Sequence, residues 1–327
     1  MTQQMTTTEA TLVAVIDPPH TPDHPLRAPV APDPEAAPAR TFSDPDHPAV
    51  LFTGFDVDAY ARTARGKIAV DRAAVAAEPF DAITAADLAF LWRLDSAGLS
   101  ETRAILSTWT GNEARITAFI ATWAFDRMAL SWAVRDLLDA AAARPDPRSR
   151  AGLGARAREL WVERLMPLVA PGVTAVVGET TTAGHMIRMA LQEASLQAAY
   201  AEMAPRLTGE ARRVVELIVA RRSDFIDFYH REASARIARS RPEAVAARLA
   251  LVGWQPLRIV GIPDPDEARA LATIFLTDEA RARLAAAQEP TRALLRGIGL
   301  TPGSDRAGGP PPPPSKGLWA RRKRHGV

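Results

Sequence analysis

The chain has 327 residues, 47% of them hydrophobic and 24% charged, with a formal net charge of +2. That is enough for one large helical domain, or two small ones, with a substantial core, and a nearly neutral body gives no nucleic-acid footprint. The absence of cysteine excludes disulfides, thiolate metal sites and a cysteine nucleophile, and no stretch approaches the ~18 to 20 apolar residues of a membrane span.

The first residues lack both a basic start and a long apolar run, so no secretion signal is expected and a cytoplasmic location fits. Ten prolines lie between Pro18 and Pro48. Proline removes backbone donors, so residues 1–50 are predicted to be a disordered or extended arm. The helical domain is expected over residues 80–300, because alanine, arginine and leucine dominate there while β-branched runs are short. Thr84 with Asp87 starts a helix that runs towards Asp95, and Gly98 interrupts or weakens it. Helical pattern resumes at Ser100 and reaches Trp109. A turn at Thr110-Gly-Asn precedes one long helix from Glu113 to about Ala143.

A shorter amphipathic helix is predicted over about 155–166. A long one follows over about 180–203, closed by Pro205, and another over about 208–240, closed by Pro242. Smaller helices fill 243–300. Residues 303–327 hold a polyproline spacer and the basic tip Trp319-Ala-Arg-Arg-Lys-Arg-His, predicted to be a disordered tail. Such a tip suits either plain solvation or weak attraction to an anionic membrane. Long helices with short connections imply antiparallel neighbours, so the fold class is all-α, a helical bundle with satellite helices.

Two arginines break otherwise continuous apolar seams. One seam reads Ile116, Ile120, Trp123, Arg127, Leu130, Val134, and the other Val215, Ile218, Arg222, Phe225, Tyr229, Ala233. A guanidinium in such a stripe needs an acidic partner or a route for its head group to reach water, because it cannot shed its proton. Residues equidistant from an antiparallel turn share a level. A turn near Leu207 therefore sets Glu193 opposite Arg222. A turn at Gly111 sets Asp95 opposite Arg127, with Glu101 the alternative if the chain bends at Gly98. Arg127, Arg222, Glu193 and Asp95 or Glu101 are thus expected to form a neutral polar centre. It serves either as buried ion pairs that fix register or as a site for an anionic ligand. Met166, Met186, Met189, Phe225, Phe228 and Trp123 form a stripe that suits plain core or the lining of an apolar channel.

The order of helices, Phe119-Ile-Ala-Thr-Trp-Ala-Phe-Asp, Gln192-Glu-Ala-Ser-Leu-Gln-Ala-Ala-Tyr, Asp227-Phe-Tyr and Val252-Gly-Trp together resemble the ferritin-like di-iron superfamily. Within it they are similar to bacterial acyl-[acyl-carrier-protein] desaturase-like proteins. That family holds iron with a Glu from each of two helices and a Glu-x-x-His from each of the other two. Here Glu193 matches one lone Glu and Asp95 or Glu101 the other, while the two Glu-x-x-His positions read Arg127-Met-Ala-Leu and Arg222-Ser-Asp-Phe. The resemblance implies a degenerate metal site, no cofactor, and an apolar or acyl-type ligand in lipid or secondary metabolism. A homodimer is compatible with it. Read alone, it implies instead an iron-dependent desaturase or oxygenase acting on an acyl chain. His185, Asp227 and His230 offer a relocated metal site, since Asp227-Phe-Tyr-His has acid-x-x-His spacing and His185 lies at that level by the turn arithmetic. Asp227 is equally placed to pair with Arg188.

Overall fold

The computed structural model describes residues 40–44, 47–142, 178–258 and 264–296. The expected helix at 155–166, Met166, residues 1–39 of the arm and the tail at 303–327 lie outside the described residues. The described chain is helical apart from one hairpin, β1 (Arg40–Asp44) and β2 (His47–Phe52), which pair antiparallel with Thr41 opposite Leu51. This hairpin corrects the expected arm over its last residues. Pro48 is the second residue of β2, near the start of a strand in a two-stranded hairpin, where a missing donor costs little.

Two short helices follow, α1 (Val57–Arg62) and α2 (Arg72–Ala77). Each begins at an aspartate, Asp56 or Asp71, whose carboxylate accepts first-turn N–H groups that have no intrahelical partner. They pack on the long helices, so the folded body begins well before residue 80. The next helix, α3 (Ala82–Ser96), is capped by Asp81 rather than by Thr84. The Asp81 carboxylate accepts from the Ile83 and Thr84 N–H groups at 2.8 and 2.9 Å, and Thr84 Oγ1 donates to it at 2.7 Å.

The helix breaks at Ala97, and α4 (Gly98–Leu106) continues as a separate piece. A 3-10 turn at Trp109–Asn112 leads into α5 (Ala114–Ala140). Beyond the undescribed stretch come α6 (Thr181–Met203) and α7 (Gly209–Arg239), joined by a 3-10 turn at Ala204–Arg206. The chain goes on with α8 (Arg241–Ala250), α9 (Asp264–Ile274) and α10 (Asp278–Ala293). Pro242 does more than close α7. It occupies the first turn of α8, where its lost N–H is not needed.

The four long helices α3, α5, α6 and α7 form the bundle, with α6 and α7 packed most extensively. Its core contains Leu88, Leu91, Phe119, Ile120, Trp123, Leu130, Met186, Leu196, Ile218, Phe225 and Phe228, all buried. The described members of the Met and aromatic stripe, Trp123, Met186, Met189, Phe225 and Phe228, are thus part of the packed core. Satellite α8 lies against α6 at closest range where Gly184 faces Ala250, and a Cβ there would stand 2.9 Å from the Ala250 methyl. No described helix is long and apolar enough to cross a membrane.

Candidate functional site

The centre of the bundle contains the residues expected there. Arg127 on α5, Arg222 on α7 and Glu193 on α6 are fully buried, and Asp95 on α3 is 1% exposed. Both arginines point inward because the apolar residues one turn either side of them are core. Arg222 donates through its two terminal nitrogens to Glu193 Oε2 and Asp95 Oδ1. Arg127 donates through Nε to Asp95 Oδ1 at 3.4 Å and through one terminal nitrogen to Glu101 Oε2, with Glu193 Oε1 at 3.5 Å. The other terminal nitrogen donates to the Leu94 carbonyl at 2.8 Å.

Asp95 and Glu101 are therefore both members, where the sequence offered one or the other. The helix break explains this. Ending α3 at Ser96 leaves the Leu94 carbonyl, near the negative end of the helix dipole, to accept from Arg127. It also swings Glu101 into reach. Gly98 provides the clearance, since a Cβ there would stand 3.0 Å from Arg127 Cδ. The centre consequently holds three carboxylates against two guanidiniums, not the neutral set expected.

Aromatic groups close it. Tyr200 Oη donates to Asp95 Oδ2 at 2.6 Å, and Trp123 Nε1 donates to Glu193 Oε1 at 3.2 Å. The Arg127 and Arg222 guanidinium carbons each lie 5.1 Å from a ring centroid, of Trp123 and Tyr200 respectively. Burial works against the charged form of Arg127, but Glu101, Glu193 and Asp95 outweigh it and hold the guanidinium above its ordinary value. Burial and then Asp95 push the Tyr200 hydroxyl well up, so it stays a donor. The Tyr229 hydroxyl and Arg222 Nε are buried in the same centre without a protein hydrogen-bond partner. Tyr200 was legible in principle, since it follows Glu193 by two helical turns on one face.

This donor set does not fit a pair of iron ions. Two guanidiniums stand among the acids that would ligate them, and like charge at that range is strongly unfavourable in a buried site. The relocated metal site is also corrected. His185 Nδ1 lies 2.8 Å from Thr110 Oγ1, and His230 Nδ1 lies 3.2 Å from Thr291 Oγ1. Asp227 pairs with Arg231 at 2.6 Å and not with Arg188, whose Nε donates to the Ala250 carbonyl. The three groups have separate partners and do not converge. No group of three His, Cys, Asp or Glu among the described residues is placed to hold a metal.

A second network, absent from the sequence expectations, lies at one end of the bundle. Glu232 and Arg236 on α7 are fully buried. Arg115 on α5 donates to Glu232, and to Thr53 Oγ1 and the Phe55 carbonyl at 2.8 Å each. Arg236 donates to Glu113 at 2.5 Å, while Arg239 bridges Glu243 at 2.6 Å and Glu179 at 2.5 Å. Burial pushes the Glu113 carboxyl up against the pull of Arg236. An open cleft of about 270 Å³ is lined there by Glu179, Thr180, Arg239, Ser240, Pro242 and Glu243.

Comparison with known proteins returned no matching family model, no matching curated protein and no matching solved structure.

Proposed function

We propose that the protein is a ferritin-like scaffold whose centre is closed by arginine instead of iron, and that its interior takes up an apolar or acyl-type ligand. The observation that carries this reading is the placement of Arg127 and Arg222, each hydrogen-bonded to the Asp95 carboxylate, with Arg222 also holding Glu193. The arginines supply the positive charge that three converging carboxylates require, and a fixed guanidinium fork is suited to a carboxylate or phosphate head group. Trp123, Tyr200 and Tyr229 around it give the apolar surface that such a ligand's chain needs.

The test is metal analysis of protein produced in iron-supplemented medium, run beside binding of a medium-chain fatty acid. The expected result is no stoichiometric iron together with saturable uptake of the fatty acid. About two irons per chain would overturn the reading in favour of an iron-dependent acyl oxidoreductase.

A further inference from the structure

The three acids of the centre are not equivalent. Asp95 and Glu193 have fully buried side chains, and each is held by Arg222 and by an aromatic donor. The Glu101 side chain is 33% exposed and is bonded to Arg127. It rides on α4, a nine-residue helix without a side-chain cap, of which only Gly98 and Ile105 are buried. Arg127 has other partners besides it. Without Glu101 the guanidinium keeps Asp95, the Leu94 carbonyl and Glu193, and the centre becomes two acids against two arginines.

We propose that Glu101 is a displaceable carboxylate: it fills, from the solvent side, a seat on Arg127 that a monocarboxylate ligand takes in its place. The exchange conserves charge, because one carboxylate replaces another on the same terminal nitrogen of the guanidinium, while its other two nitrogens keep Asp95 and the Leu94 carbonyl. Mild acid favours it. Burial, with Glu193 and Asp95, pushes the Glu101 carboxyl up despite Arg127. The groups facing it are Arg127 from α5, Glu193 from α6, Asp95 from α3 and the Tyr229 hydroxyl from α7. Protonated Glu101 loses its charge-assisted bond while the seat beneath it stays cationic. The proposal deepens the function given above and rests on it for the ligand's apolar chain, but not for the head-group seat.

The experiment melts the full chain in sodium acetate and in sodium chloride of equal ionic strength. Glu101→Ala vacates the seat, and acetate is expected to raise its melting temperature by roughly 2 to 4 °C over chloride. Glu101→Gln fills the seat with a neutral isostere and should respond less. Identical melting of Glu101→Ala in the two salts overturns the proposal. Should Glu101→Ala not fold, octanoate binding to the unaltered protein and to Glu101→Gln decides, with several-fold tighter binding by Glu101→Gln expected and equal binding overturning it. Acetate and octanoate together separate the two claims. Acetate rescue with no tighter hold on octanoate keeps the Glu101 seat and overturns the apolar-ligand reading. Octanoate binding that ignores every Glu101 substitution overturns the seat and leaves that reading in place.

Discussion

The bundle contains two arginine–carboxylate networks built from the same chemistry in different surroundings. The central one joins α3, α4, α5, α6 and α7, and the side chains of Asp95, Arg127, Glu193 and Arg222 in it are fully buried. The end network joins α5, α7 and α8 to the segments around Thr53 and Glu179, and several members are partly exposed. Buried charge must be compensated within the protein, whereas charge at an edge can borrow solvent. The centre therefore specifies which helices face one another, and the end network fastens peripheral segments onto a bundle already specified.

That contrast is sharpest in what each network loses when an acid is removed. Glu193→Ala takes from Arg222 one of its two carboxylates, from Arg127 a neighbouring charge and from Trp123 its acceptor, all among fully buried side chains, and should cost roughly 3 to 5 kcal/mol in denaturant unfolding. Glu232→Ala removes a fully buried carboxylate too, but Arg115 is 12% exposed and Arg236 retains Glu113. Its expected cost is roughly 2 kcal/mol, within the range for a lost charged hydrogen bond. Equal costs at the two sites would erase the distinction between them.

A smaller effect separates them by pH. His185 sits at the same end, beside Thr110 and Thr182, and burial with Arg188 pushes its pKa down to about 4 from an ordinary value of 6.5. A depressed folded-state value means that the neutral ring stabilises the fold above pH 6.5, and that this stability is lost as pH falls towards 4. Discounted for the ring's partial exposure, the loss should be about 1 to 2 kcal/mol. Glu113 nearby has the opposite sign, because a raised carboxyl stabilises at low pH and loses that contribution as pH rises through its folded value. Comparing unfolding of the unaltered chain and of His185→Asn between pH 7 and pH 4 isolates the histidine. Parallel curves would show that its burial has no energetic consequence.

Much of the centre was legible because a hairpin of helices obeys simple arithmetic. Equidistance from a turn paired Glu193 with Arg222, and a broken apolar seam marked both arginines as interior. The same arithmetic misled at His185 and His230, since equidistance fixes height along a bundle and says nothing of direction around each helix. It also could not find the bond from Arg222 to Asp95, which crosses between helices that are not sequence neighbours. Glu232 and Arg236 were missed because their partners come from Thr53, Glu113 and Arg115, far away in sequence. The proline count around residue 45 hid a hairpin, although Asp56, Asp71 and Asp81 each announced a helix start in the way that aspartate caps do.

The central claim is that Arg222 and Glu193 form a mutually dependent buried pair inside the bundle. A double-mutant cycle on unfolding free energy tests it directly, with Arg222→Met, Glu193→Met and the two combined. Each single change should cost several kcal/mol by leaving a buried charge short of a partner. The double change should cost much less than their sum, giving a coupling of about 2 to 3 kcal/mol. Strictly additive losses would contradict the pairing and the polar centre built on it.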